Sequence, residues 1–121
     1  MYEPDGAVIR AHLVQALAAK VAASQIDQSI AYLTAETAVV TPFARCFAVE
    51  AFFPFQLKRL RHYLRERQVG SVTIKKRGSP LEPDQLQRRL RLSGQRENHR
   101  FLFLTQILGE PSVIVSGEEI G

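Results

Sequence analysis

The chain has 121 residues, of which 45% are hydrophobic and 23% charged, and its formal net charge is +4. A chain of this size and composition is long enough for one hydrophobic core and too apolar for a disordered protein. No apolar run approaches the roughly 20 residues that a membrane helix needs, and the first residues lack a secretory signal. A single cysteine, Cys46, excludes an internal disulfide bond and is typical of a reducing compartment. We therefore expect one cytoplasmic domain of mixed composition.

The first predicted element is an N-terminal helix. Asp5 can cap it, and apolar residues four positions apart form a buried stripe, which comprises Ile9, Leu13, Leu17 and Val21. The pattern weakens from residue 25 to residue 41, where Ile30–Leu33 could form a loop or a short strand. Residues 1–43 are therefore interpreted as a helix and a linker, and residues 44–121 as a separate domain.

The rest of the chain predicts strands alternating with helices. Period-two patterns favour strands, and leucines at helical spacing favour helices between them. The expected strands span residues 44–53, 71–76, 99–108 and 113–116, and the expected helices span residues 55–68 and 82–92. This β-α-β-α-β-β order predicts an α+β fold with a four-stranded mixed sheet and helices on at least one face.

Several finer features follow from the residue types. The apolar run Phe101–Leu104 predicts a central strand that is covered on both faces. Gly70 and Gly94 are expected to end the two helices, and the segment 109–112 is expected to form a hairpin turn into the last strand.

Motifs for catalysis are missing from the sequence. Its seven glycines never form G-x-G, so a glycine-rich loop for a nucleotide or for S-adenosylmethionine is absent. There is no P-loop and no nucleophile elbow. The three histidines and the cysteine have no metal-ligand spacing. We therefore assign no catalytic, cofactor-binding or metal-binding residue and do not expect a stand-alone enzyme.

The charge distribution does carry a functional signal. The formal charge is −2 over residues 1–54, +9 over residues 55–100 and −3 over residues 101–121. The middle segment contains thirteen basic residues and only four acidic ones, so local pairing cannot neutralise the basic side chains. This excess indicates an anionic partner, while the alternative interpretation is that the basic side chains only keep the surface hydrated.

The candidate binding residues follow from this excess. Lys75-Lys76-Arg77-Gly78 ends a predicted strand, and Arg88 and Arg89 follow on the next helix. Ammonium and guanidinium groups along one surface bind phosphates. Stacking of bases on Phe101 and Phe103 is not favoured, because their leucine neighbours indicate a buried strand. The predicted nucleic-acid-binding residues are Lys75, Lys76, Arg77, Gly78, Arg88 and Arg89, with Lys58, Arg59 and Arg61 as outer contacts.

The sequence also resembles a known family. Residues 2–11 (YEPDGAVIRA), 30–34 (IAYLT) and 54–60 (PFQLKRL) are similar to the C-terminal part of a bacterial class I S-adenosylmethionine-dependent methyltransferase family. Residues 72–78 and 83–94 resemble its THUMP-like domain, and K-K-R-G followed by R-R-L-x-L is the most specific part of the likeness.

The resemblance implies a place for this chain in a larger protein. In the family a Rossmann-type methyltransferase domain precedes this region, so the chain looks like a C-terminal piece, and S-adenosylmethionine is expected in the upstream domain. THUMP domains are associated with tRNA and other structured RNA, which implies a non-catalytic accessory domain that positions an RNA substrate.

Two alternatives to RNA binding stay open. The chain could be a structural module in which the first helix and Ile30–Leu33 dock on the methyltransferase domain, or on a second copy as a homodimer. It could also be a lid that completes the site for a substrate other than RNA.

Overall fold

The fold combines one large sheet with three helices in the part of the chain that a computed structural model describes, namely residues 1–6, 9, 14–21, 23–27, 30–35 and 41–120. The strands are β1 (Tyr2–Pro4), β2 (Ser24–Asp27), β3 (Ile30–Thr34), β4 (Ala44–Pro54), β5 (Val69–Lys76), β6 (Gln95–Ile107) and β7 (Glu110–Ile120). The helices are α1 (Val14–Lys20), α2 (Leu57–Glu66) and α3 (Pro83–Leu90).

The strands form a mixed sheet in the order β2-β3-β1-β4-β7-β6-β5. Only β5 and β6 run parallel among the described pairs, and α3 connects them. The predicted α+β class and the β-α-β-α-β-β order of residues 44–120 are confirmed. The prediction of four strands is wrong, because β1 pairs with β4 and brings β2 and β3 into the same sheet.

The N-terminal part differs most from expectation. Tyr2–Pro4 forms a strand where the sequence predicts the approach to a helix, since a three-residue strand is too short to show a period. The helix α1 is present, and Leu17 and Val21 of the predicted stripe are buried. Ile9 is half-buried, and Leu13 lies outside the described residues. Ile30–Thr34 is a strand, one of the two possibilities left open.

The main core lies between the sheet and helices α2 and α3. The predicted leucine stripes supply it, since Leu60 and Leu64 of α2 and Leu86 and Leu90 of α3 are buried. The facing strand residues include Leu102, Leu104, Val113 and Val115. Full burial of each such side chain contributes about 1.5–3 kcal/mol.

The opposite face of the sheet is covered by the N-terminal residues. Met1 packs there with Phe47, Phe103 and Ile114. Leu102, Phe103 and Leu104 are fully buried, which confirms a central strand that is covered on both faces.

A further cluster joins α1 to the rest of the chain. It contains Tyr2, Leu17, Val21 and Cys46, with Ile120 packed against it. Leu17 and Val21 of the predicted helix stripe therefore pack within the chain, whereas Ile9 is half-buried.

The connections between helices and strands use glycine differently from the prediction. The left-handed conformations that end α2 and α3 belong to Gln68 (φ 55°) and Arg91 (φ 50°). A Cβ atom on Gly70 would lie 2.2 Å from the carbonyl oxygen of Gln95, and one on Gly94 would lie 2.1 Å from that of Gln68. The start of β5 and the residues that lead into β6 are in direct backbone contact, so glycine is needed there for close approach rather than for ending the helices.

The predicted hairpin is confirmed and has a shorter turn than expected. Strand β6 ends at Ile107 and β7 begins at Glu110, so Leu108 and Gly109 form the loop. Both have positive φ values, 52° and 80°, as a two-residue turn with the twist of the flanking strands requires.

Candidate nucleic-acid interface

The end of β5 directs its consecutive basic residues to opposite sides of the sheet. Lys75 lies opposite Phe103, on the face covered by the N-terminal residues, whereas Lys76 lies opposite Leu104, on the face covered by helices. Lys76 is exposed. Gly78, with φ 73°, forms part of the turn that follows the strand.

Lys75 belongs to a pocket in which charges of both signs meet. Its Nζ atom lies 2.7 Å from Oε1 of Glu3, and both side chains are largely removed from solvent. Arg77 lines the same pocket and is held by its main-chain N–H, which donates to the carbonyl oxygen of Leu104 at 2.8 Å. Lys75 is therefore paired within the domain rather than free for an external anion.

Arg45 adds a second ion pair beside this pocket. Its Nε and Nη2 atoms donate to the two carboxylate oxygens of Glu119 at 2.8 and 2.7 Å, and its Nη1 atom lies 4.0 Å from Glu3. The hydrogen bond from Arg45 lowers the pKa of Glu119 below its usual value, and the same bond raises the pKa of Arg45. Arg45, like Lys75, is therefore paired with carboxylates of the same domain.

Helix α2 carries basic residues on two of its sides. Arg59 faces β4, where its guanidinium group lies 4.6 Å from the centre of the Phe53 ring. Arg61 faces α3, because its Nε and Nη2 atoms donate to the carbonyl oxygen of Arg89 at 3.2 and 2.5 Å. Since residues three or four positions apart share a helix side, Lys58 and Arg65 lie in the same row as Arg61.

Helix α3 adds further positive charge next to this row. Arg88 and Arg89 lie in its last turn, and both are exposed. We use the name helical basic surface for Lys58, Arg61 and Arg65 of α2 with Arg88 and Arg89 of α3; Arg61 is half-buried and the other four are exposed. Within the described ranges, no carboxylate lies within ion-pair distance of any of its five residues.

The structure thus places the predicted binding residues on different sides of the sheet. Lys58, Arg61, Arg88 and Arg89 lie together on the helical layer, and Lys76 lies on the same side of the sheet. Lys75 and Arg77 lie across the sheet, and Arg59 turns toward β4. Arg65 also belongs to the helical basic surface but is not among the binding residues predicted from the sequence. Its position four residues after Arg61, in the same helix row, could have identified it.

Neither phenylalanine of β6 offers a platform for stacking bases. Phe103 is fully buried, and the Phe101 ring centre lies 5.0 Å from that of Phe47, inside the second core cluster. This arrangement agrees with the expectation that recognition does not rest on stacking.

A serine of β5 lies next to a histidine of β6. The Oγ atom of Ser71 lies 2.7 Å from Nδ1 of His99 and donates to the carbonyl oxygen of Arg96, while Thr73 contacts the other ring nitrogen at 2.9 Å. Among the described residues, no carboxylate hydrogen-bonds to the imidazole ring. The part of the chain that the structure covers also holds no group of three or more potential metal ligands.

None of the helices described here is both long and apolar enough to cross a membrane.

The fold is an α+β domain in which two helices cover one face of a mixed sheet and present a basic outer layer. Residues 44–118 match the family model described as THUMP domain-like, so the chain belongs to the THUMP-like family. This match begins at β4 and includes both helices of the basic layer.

Relatives with this region are described as methyltransferases. The chain is 42% identical over 94 residues to an uncharacterized S-adenosylmethionine-dependent methyltransferase of Mycobacterium tuberculosis, found in strains CDC 1551 and H37Rv. The match covers 78% of this chain and 26% of each relative, so the chain spans about a quarter of their length.

A solved structure shares the fold. It is a candidate methyltransferase from Porphyromonas gingivalis W83, with a TM-score of 0.74 and 21% sequence identity. The match covers 97% of this chain and 29% of that chain.

Proposed function

We propose that this chain is a non-catalytic accessory domain of an S-adenosylmethionine-dependent methyltransferase and that it binds structured RNA, such as tRNA, through the helical basic surface. In this proposal the cofactor binds in an upstream methyltransferase domain, which also carries the chemistry. The domain would contribute affinity and position the substrate RNA relative to that site.

The observation that carries the proposal is the group of five cations on α2 and α3, four of them exposed, that have no carboxylate partner among the described residues. Phosphates bound by such side chains release counterions, which gives affinity that depends on salt. Lys76 lies on the same side of the sheet, at the end of β5. Lys75 is expected to contribute little, because an RNA phosphate would have to compete with Glu3 for its ammonium group.

The test is titration of labelled tRNA, and of duplex DNA of similar charge, at several salt concentrations. The double variant Arg88→Gln with Arg89→Gln should reduce the slope of log affinity against log salt by about 2, one for each lost phosphate contact. The matched control is Lys20→Gln with Lys75→Gln, which removes the same charge from residues outside the helical basic surface.

The outcomes separate specific from general attraction. Tighter binding of tRNA than of duplex DNA, weakened by the helix variant alone, supports the proposal. Equal loss in both double variants, or equal affinity for both nucleic acids, would show that only net charge matters, and RNA positioning would then be rejected.

A structural docking role is the second candidate function. The buried positions of Leu17 and Val21 count against docking through α1. Two exposed apolar side chains of β4, Val49 and Phe52, offer a different surface for it.

A further inference from the structure

One edge of β4 is only partly paired. Strand β1 follows it from Ala44 to Cys46, and the contact ends at Met1, whose amino nitrogen donates to the carbonyl oxygen of Phe47 at 2.8 Å. The N–H of Phe47 donates back to the carbonyl oxygen of Met1, also at 2.8 Å. From residue 48 to residue 54, β4 pairs with β7 on one side, and no strand of the described chain pairs with it on the other.

The unpaired part of this edge carries two exposed apolar side chains. Phe52 is 67% exposed and Val49 is 42% exposed. Together with α2 they line a cavity of about 550 Å³, whose other walls include Arg59, His62 and Tyr63. A free strand edge beside exposed apolar side chains is a site where another extended segment pairs readily.

The position of Met1 indicates which segment fits. Met1 is 6% exposed, and its nitrogen makes the hydrogen bond that a peptide N–H of a continuing strand would make. Burial lowers the pKa of this amino group, because the charged form loses hydration there. A peptide N–H at the same place would make the same bond without that cost.

The direction of pairing gives the register. Because β1 runs antiparallel to β4, with Pro4 opposite Ala44 and Tyr2 opposite Cys46, a residue before Met1 would lie opposite Ala48. Further residues in the same direction would pass Val49 and then Phe52. The matched relatives are much longer than this chain, since the matched region is only 26% of their length.

We propose that, in a longer form of this protein, the polypeptide preceding Met1 continues β1 along β4 and covers Val49 and Phe52. Its alternate residues facing that pair would be apolar. The inference rests on the proposed function only in that it needs an upstream domain, and it is independent of RNA binding. A paired strand of this kind would hold the two domains in one orientation, whereas an unpaired linker would leave them free to rotate.

The experiment compares the 121-residue chain with the longer parent protein, each carrying Phe52→Cys. In the short chain the new thiol should react readily with a maleimide, and in the long chain its reaction should slow about tenfold or more, because a strand must open locally first. Gln85→Cys, on the exposed surface of α3, is the control that should react equally in both chains. The natural Cys46 is buried and should react slowly throughout.

Hydrogen exchange of the backbone amides in residues 48–54 distinguishes strand pairing from simple coverage. Slower exchange there in the long chain, together with thiol protection, supports the proposal. Unchanged thiol reactivity overturns it, and so does thiol protection without slower amide exchange. Protection in the short chain that grows with protein concentration would assign the edge to a second copy and would equally overturn it. Neither measurement contains RNA, so failure of RNA binding would leave this result unaffected.

Discussion

Arg61 of α2 donates two hydrogen bonds to the carbonyl oxygen of Arg89, at the end of α3. The last carbonyl groups of a helix have no hydrogen-bond partner within it, and they lie at the negative end of its dipole. A guanidinium group at this position therefore supplies both a hydrogen-bond donor and a favourable positive charge. This contact joins the two helices that carry the helical basic surface and sets the spacing of their charges.

Replacing Arg61 should therefore cost more stability than replacing another arginine of its row. We expect Arg61→Met to lower the free energy of unfolding by about 1 kcal/mol, since the contact is partly exposed to solvent. Urea denaturation measures this change. Arg65→Met removes the same charge without a comparable hydrogen bond among the described residues, and an equal loss in both variants would contradict the capping role.

The close backbone contact at the start of β5 gives a second stability prediction. An alanine at Gly70 would place its Cβ 2.2 Å from a main-chain oxygen, so the backbone must shift. We expect Gly70→Ala to destabilise the fold by about 3 kcal/mol, in the range of overpacking and backbone strain. Thermal or urea unfolding checks this loss.

Gly117→Ala is the matched control for the glycine prediction. A Cβ there would meet the Glu50 carboxylate at an ordinary 3.7 Å, so the free energy of unfolding should change much less than in Gly70→Ala. Similar losses in both variants would show that the close backbone approach at Gly70 is not what requires glycine.

Tyr63 provides a prediction about alkaline pH. Its hydroxyl donates to the Glu50 carboxylate, and burial, followed by this bond, raises the pKa of Tyr63 from 10.0 to about 12. A pKa that is raised on folding contributes stability below pH 10, and that contribution disappears as the pH rises through about 12.

A pH titration followed by absorbance at 295 nm should therefore show a tyrosine that ionises at a higher pH than usual. This step should be absent from the titration of Tyr63→Phe. Glu50→Gln should lower the pKa of Tyr63 without restoring the ordinary value, because burial remains the larger cause. A titration of the native chain without a late step would contradict the assignment.

The ion pair between Arg45 and Glu119 predicts a change at acid pH. The pKa of Glu119 is below its ordinary 4.5, mainly because Arg45 donates a hydrogen bond to the carboxylate. The stabilising effect of a lowered pKa is present above the unfolded value and disappears as the pH falls through the folded value.

Carboxyl NMR titration should therefore show the pKa of Glu119 rising toward 4.5 in Arg45→Gln. Lys20→Gln removes an equal charge elsewhere and should leave the titration of Glu119 in place. An unchanged Glu119 titration in Arg45→Gln would mean that another group holds the carboxylate.

The sequence by itself determined the helices and strands whose apolar residues follow a regular spacing or run. The leucines of α2 and α3 repeat at helical spacing, and the run Phe101–Leu104 is continuously apolar, so their burial could be predicted from neighbouring residues alone. The positive charge of the middle segment could also be determined from the sequence, because formal charge does not depend on the fold.

Only the tertiary structure decided how those elements and charges are arranged. Strand β1 is only three residues long and is a strand because it pairs with β4. This pairing joins residues far apart in the sequence, so no local pattern predicts it. The side on which each cation lies also depends on distant partners: Lys75 meets Glu3 across 72 positions of sequence, and Arg61 meets the end of α3 across 28. Spacing along the chain predicts which residues share a helix or strand face, whereas the packing of that face against the rest of the chain determines which charges stay exposed.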